Sequence, residues 1–275
     1  MVLVFDVGNT ETTIGCFSGE DLRAHWRITT DVARTPDELA LVIGGLLHGS
    51  GIATSALTGV CIGSVVPMLT APLAEACQNL TRLRPIIVDG SSALPITLDV
   101  IEPQTVGADR ILNTLAASRL FARDTIVVDL GTATTFDCIT KDGVFLGGVI
   151  APGVRTAMET LVRRTSKLPQ TELHAPSEVI GRRTEDCIRS GVIFGSAEAI
   201  DGLVRRIRAE WPGDDEPLVV ATGGLAEALA PFCESVERVV PELTLVGLRM
   251  AYELLSAAAL DSAMTNARSA SRSLL

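Results

Sequence analysis

One design occurs twice in this chain, and it constrains the fold more than any other feature. The first copy is Val4-Phe5-Asp6-Val7-Gly8-Asn9-Thr10-Glu11-Thr12-Thr13-Ile14-Gly15. An apolar run reads as a buried strand and ends in a carboxylate. A glycine turn follows, and a threonine-rich segment returns as a second strand. Such a turn suits a phosphate and a metal ion. Gly8 lets backbone N–H groups approach anionic oxygens, the hydroxyls donate, and Asp6 can hold a hydrated cation such as Mg²⁺. Taken alone, the stretch also fits an ordinary hairpin with a turn-forming Gly-Asn pair. The second copy, Ile126-Val127-Val128-Asp129-Leu130-Gly131-Thr132-Ala133-Thr134-Thr135-Phe136, lies nearly half a chain away. Repetition at that scale points to a duplicated domain, with two phosphate-binding turns facing one cleft.

Composition removes several alternatives. The chain has 275 residues, 47% of them hydrophobic, which is enough for two modest cores. A formal net charge of −10 argues against a general binder of nucleic acid or anionic membrane. No apolar run approaches the length of a membrane helix, and no basic segment with a long apolar run opens the chain; the expected location is the cytoplasm. The lysines are Lys141 and Lys167, and neither stands in a glycine-rich phosphate loop, which excludes a Walker A site. His25, His48 and His174 stand apart from the glycine-rich stretches, so a carboxylate is the better candidate for a general base. Six cysteines show neither C-x-x-C pairing nor zinc-like spacing to histidine and read as buried thiols.

Between and after the hairpins, helical and strand patterns alternate, as in an α/β protein with mixed sheets. Gly107-Ala108-Asp109-Arg110 opens a strongly helical segment. Asp109 is either an acid stabilised by the helix dipole or a base projecting into the cleft. Arg110 either binds a substrate carboxylate or joins a surface ion pair. Gly147 to Gly153 and Thr222-Gly223-Gly224 are turns where backbone approaches a ligand or where packing is tight. Thr184 is a natural N-cap for a long helix from Glu185 to about Trp211, and its hydroxyl also suits a ligand. Gly191, Gly195 and Gly202 within that helix suit close packing against another helix or a partner subunit. The expected division is a first domain over 1–110, a second over 111–261 and a disordered tail over 262–275.

The paired Asp-x-Gly hairpins with a later Gly-Gly turn resemble the acetate kinase/sugar kinase/heat-shock-protein/actin superfamily. Its ribonuclease-H-like domains clamp ATP between them. In finer detail the chain resembles type III pantothenate kinases, through Asp6-Val7-Gly8-Asn9-Thr10, Gly107-Ala108-Asp109-Arg110, Asp129-Leu130-Gly131-Thr132-Ala133-Thr134-Thr135, Gly147 to Gly153 and Thr222-Gly223-Gly224. These run in the family's order over nearly the whole chain. The resemblance implies two duplicated ribonuclease-H-like domains with an interdomain ATP cleft. It implies transfer of the ATP γ-phosphoryl group to the 4′-hydroxyl of pantothenate, the first step toward coenzyme A. It assigns Asp109 as proton acceptor, and Gly107, Ala108, Asp109, Arg110 and Thr184 to pantothenate. Asp6, Val7, Gly8, Asn9, Thr10, Glu11, Thr12, Thr13 and Thr132 fall to ATP, and Asp129 to a monovalent cation, K⁺ or NH₄⁺. It further implies a homodimer with the substrate pocket at the subunit interface. Two departures stand out: no aromatic occurs in Leu98-Asp99-Val100-Ile101, and Arg183 rather than Asn precedes Thr184.

Overall fold

The computed structural model describes the backbone of residues 1–272 and the side chains of residues 1–259. The chain begins with an antiparallel meander of β1 (Val2–Val7), β2 (Glu11–Ser18) and β3 (Asp21–Thr29). α1 (Pro36–Gly49) leads into β4 (Gly59–Ser64), parallel to β1, and α2 (Pro67–Thr81) into β5 (Ile86–Val88), parallel to β4. A two-residue strand β6 (Thr97–Leu98) and α3 (Ala108–Phe121) come before a second meander, β7 (Thr125–Leu130), β8 (Ala133–Ile139) and β9 (Val144–Pro152). Then follow α4 (Val154–Arg164), α5 (Thr184–Ala209), β10 (Leu218–Thr222), α6 (Ala226–Leu229), β11 (Arg238–Val239) and α7 (Leu243–Arg272).

The two sheets repeat one plan. The first has the order β3-β2-β1-β4-β5. The second is β11-β10-β7-β8-β9-β6, and read from its other end without β6 it gives the same sequence of strands. The repeat reaches register. Asp6 faces Thr13 on β2 and Gly63 on β4, while Asp129 faces Thr135 on β8 and Thr222 on β10. Each meander breaks register at a matching place, between Cys16 and Phe17 and between Cys138 and Ile139. The duplicated ribonuclease-H-like plan expected from the paired hairpins is therefore present.

Local sequence explains the elements. Leu3, Val4, Phe5 and Val7 leave no surface exposed, as a central strand covered on both faces requires. β3 alternates exposed and half-buried residues, as an edge strand with one wet face does. Thr35 and Glu38 form a reciprocal capping box at α1, with Pro36 at its first position. In the first unit Phe5, Ile14 and Ile62 pack with Leu39 and Ile43 of α1 and Leu73 of α2. In the second, Val128 and Phe136 pack with Met158 of α4 and Ile193 and Ile200 of α5. Five cysteines are buried, Cys187 is exposed, and no disulfide joins the described residues. Burial pushes the Cys61 and Cys77 thiols up to about 12, which makes them inert packing groups.

Backbone contacts group Met1–Pro95, Glu102–Ala116 and the chain from Thr244 onward into one unit. Ile96–Ile101 and Ala117–Leu243 form the other. This differs from a single cut at 110/111, because α7 joins the first unit and packs there on the opening turns of α3. Gly247 sits on the backbone of Leu112, where any Cβ would collide. The Thr244 hydroxyl donates to the Asn113 side-chain oxygen at 2.9 Å, with both residues buried. The tail expected over 262–275 is helical to Arg272, and 273–275 lie outside the described residues.

Candidate active site

In the first unit, the candidate residues gather around the carboxyl ends of β1 and β4. The half-buried Asp6 is the next-to-last residue of β1. The turn after it is tight. The Gly8 N–H donates to the Glu11 carbonyl at 3.1 Å, and a Cβ on Gly8 would lie 2.9 Å from that same oxygen. Asn9, Thr10 and Glu11 are exposed at its tip, whereas Thr12 is buried. Thr12 shares a 2.8 Å hydrogen bond with Thr30, and the Thr30 hydroxyl donates to the Gly8 carbonyl at 2.7 Å. Thr13 stands half-buried opposite Asp6.

The Gly107–Arg110 element reaches the same end of this sheet. The Val7 carbonyl accepts the Val65 N–H at 3.1 Å, just past β4. The Val65 side chain lies 3.1 Å from the place a Cβ would take on Gly107. That Cβ would also overlap the Asp109 carboxylate, so a glycine at 107 is a condition of Asp109 sitting where it does. Ala108 is buried, 3.7 Å from a Cβ built on Gly63. Asp109 lies in the first turn of α3, and its Oδ1 accepts the Arg110 N–H at 2.8 Å. Burial raises the Asp109 carboxyl above its ordinary range. The Arg110 amide and guanidinium oppose the rise without cancelling it. A partly desolvated carboxylate at a helix entrance is a candidate general base.

The second unit builds its own constellation on the duplicate hairpin. Its turn is one residue shorter: Leu130 pairs with Thr134 where Val7 pairs with Thr12. The Gly131 N–H donates to the Ala133 carbonyl at 3.1 Å. Gly223, at φ +88°, follows β10, and the Asp129 carboxylate occupies the space of its missing Cβ. Gly153 lies so close to the Gly131 and Thr132 carbonyls that only glycine fits. The hydroxyl of Thr156 in α4 donates to the exposed Thr132's carbonyl at 2.8 Å. The glycines at 153 and 223 are therefore tight-packing positions against the Asp129 turn.

Thr184 is placed differently from its expected capping role. Arg183 is the N-cap of α5, in extended backbone, and Thr184 is the exposed first helical residue. Gly181 packs on the Cys187 backbone and fixes the chain's entry into the helix. Sequence reasoning missed Thr30 and Thr156. Both lie outside the glycine motifs, and only the folded register brings their hydroxyls to the turn carbonyls. Among the described residues no three His, Cys, Asp or Glu side chains gather as a metal cluster. A cation here would rest on one carboxylate together with backbone, hydroxyl or phosphate oxygens, a donor set that fits hard cations such as Mg²⁺ or K⁺.

Comparison with known proteins agrees with this arrangement. The family model described as type III pantothenate kinase matches residues 2–206. A type III pantothenate kinase of Thermomicrobium roseum is 44% identical over 253 residues, covering 92% of this chain and 97% of that one. One from Moorella thermoacetica is 41% identical over 253 residues, covering 92% and 99%. Among solved structures, the activator of the 2-hydroxyisocaproyl-CoA dehydratase from Clostridium difficile, with bound ADPNP, aligns at TM-score 0.55 with 15% identity, covering 96% of this chain and 97% of that one. Component A of the (R)-2-hydroxyglutaryl-CoA dehydratase of Acidaminococcus fermentans aligns at TM-score 0.56 with 15% identity, covering 94% and 98%. Those two likenesses bear on the fold alone, which is that of the actin-like ATPases. With the family model spanning most of the chain and relatives above 40% identity covering nearly all of it, this chain belongs to the type III pantothenate kinase family.

Proposed function

We propose that this protein transfers the γ-phosphoryl group of ATP to the 4′-hydroxyl of pantothenate, giving 4′-phosphopantothenate for coenzyme A synthesis. The observation that carries the reading is Asp109, desolvated in the first turn of α3 with its pKa raised. With Oδ1 held by the Arg110 amide, Oδ2 is the oxygen that takes the proton of the attacking hydroxyl. Removing that proton as the O–P bond forms is the work of a positioned base. Gly107, Ala108 and Arg110 are assigned to the acceptor, and Thr184 is likewise assigned to pantothenate.

The Asp6–Thr13 turn and Thr132 are assigned to the nucleotide phosphates. Phosphoryl transfer depends on positioning and charge neutralisation. In a chain without a phosphate-loop lysine, that role falls to backbone N–H groups, hydroxyls and cations. Bound with ATP, Mg²⁺ would supply charge neutralisation at the phosphates, and Asp6 is the residue that would hold it, through water. Asp129 is the residue that would hold a monovalent cation, K⁺ or NH₄⁺. A homodimer with the substrate pocket at its interface belongs to the same reading, and Gly191 and Gly195, exposed on α5, suit close packing against a partner helix. A cytoplasmic, reducing setting suits six cysteines without a disulfide among the described residues.

The test is ADP release coupled to a reporter, with pantothenate, MgATP and varied K⁺. Pantothenate-dependent turnover supports the assignment, and transfer to a sugar but not to pantothenate overturns it. An unchanged K⁺ response in Asp129→Ala rejects that residue as the cation ligand. Sedimentation of the full chain as a monomer at assay concentration rejects the dimer.

A further inference from the structure

Thr30 belongs to none of the glycine motifs, yet it makes three hydrogen bonds to the first hairpin. Its N–H donates to the Thr10 carbonyl at 3.0 Å, and its hydroxyl donates to the Gly8 carbonyl at 2.7 Å. That hydroxyl lies 2.8 Å from the hydroxyl of buried Thr12. A threonine hydroxyl has a single proton, and Thr30 gives its proton to Gly8. Thr12 must therefore be the donor in the shared bond. In this arrangement the Thr12 hydroxyl braces Thr30.

The bond to Gly8 has a directional consequence. No peptide bond in the described chain is cis. In a planar trans peptide the C=O and the following N–H point in opposite directions. Holding the Gly8 carbonyl toward Thr30 thus aims the Asn9 N–H away from it, at the exposed tip of the turn. In the second hairpin a hydroxyl from outside the motif also holds a turn carbonyl, one residue further along: Thr156 donates to the Thr132 carbonyl at 2.8 Å.

We propose that Thr30 is a positioning residue for phosphoryl transfer, which clamps the Gly8 carbonyl through its hydroxyl and so fixes the Asn9 N–H as a donor to an ATP phosphate oxygen. The inference rests on the assignment of this turn to ATP. A clamped amide donor needs no reorganisation when the phosphate arrives, and losing or misaiming one hydrogen bond to a charged group costs about 10–10²-fold in affinity.

The test uses the full-length protein with Thr30→Val and Thr30→Ser. The binding of a non-hydrolysable ATP analogue is measured by calorimetry, alongside KM for ATP and for pantothenate and the melting temperature. Thr30→Val is expected to weaken analogue binding and raise KM for ATP by about tenfold or more. Its KM for pantothenate should stay within about twofold of wild type, and Thr30→Ser should recover most of the loss because it keeps the hydroxyl. Equal losses toward both substrates, or no recovery with serine, would show a merely structural hydroxyl and overturn the proposal. If Thr30→Val does not fold, ¹⁵N spectra of the wild type decide: the Asn9 amide must shift on adding the analogue, and an unmoved Asn9 signal overturns the proposal. Calorimetry and spectra need no phosphoryl acceptor. Wild type that binds the analogue but does not turn over pantothenate would therefore contradict the substrate assignment and leave the Thr30 test readable.

Discussion

Replacing Gly223 by alanine should damage the Asp129 site far more than an equivalent change elsewhere. Gly223 and Gly147 both lie at positive φ, +88° and +111°. An L-residue held there costs about 1–3 kcal/mol in backbone strain. The positions differ in what an added methyl meets. At Gly147 the nearest atom is a Val100 methyl at 3.7 Å, an ordinary contact, so Gly147→Ala bears the strain alone. At Gly223 the methyl overlaps the Asp129 carboxylate and comes within 2.9 and 3.0 Å of the Leu130 backbone. Backbone cannot swing aside as a side-chain end can, and forced shifts of this kind cost about a further 1–3 kcal/mol. The excess of Gly223→Ala over Gly147→Ala then corresponds to an extra fall in melting temperature of several degrees, at about 2–4 °C per kcal/mol. It should also appear as a loss of K⁺-stimulated turnover that Gly147→Ala does not share. Thermal denaturation and ADP release, each with and without K⁺, read both effects. Equal melting temperatures and equal K⁺ responses in the two variants would refute the contact between Gly223 and the Asp129 carboxylate.

Three further outcomes follow from the same geometry. Asp109→Asn should lose about 10²–10⁴-fold in turnover. It should not lose stability at neutral pH: an acid with a raised folded-state pKa is stabilising when protonated, and that contribution disappears as pH rises through the folded pKa, so a neutral amide escapes the penalty. Denaturant unfolding beside steady-state assays checks both halves. In the wild type, kcat/KM should fall on acidification at a pH above the ordinary aspartate range, because the base must be unprotonated and burial raises its pKa; a descent within the ordinary range would contradict this. Thr35→Ala breaks the capping box of α1, away from the glycine motifs, and should cost about 0.5–2 kcal/mol of stability with unchanged kinetic constants, measured by the same pair of experiments.

Much of this architecture is legible in the sequence because the information is local. An apolar run ending in Asp, then Gly, then threonines specifies strand, turn and strand within about a dozen residues, and its repetition reveals the duplication. What escapes is long-range. α7 reads as part of the second half because it follows it in sequence. Only packing of Gly247 on Leu112, and of Thr244 on Asn113, returns it to the first unit. β6 has two residues and no signature of its own; pairing with β9 is what makes it a strand. Thr184 has the composition of an N-cap, yet the helix begins one residue earlier, with Arg183 as N-cap in extended backbone and Gly181 packed against Cys187. Thr30 is silent in sequence for the same reason, because nothing near it signals that β3 will carry its hydroxyl to Gly8. The raised pKa of Asp109 is a property of burial, which a motif cannot display.

The central claim is that Asp109 is the base for transfer from ATP to pantothenate. The most direct measurement is pantothenate-dependent ADP release by wild type and Asp109→Asn, with ATP-analogue affinity measured on the same samples. Turnover is expected in the wild type, with a loss of at least about 10²-fold in the variant and analogue binding within about twofold. Wild-type-like turnover in a folded Asp109→Asn protein would contradict it.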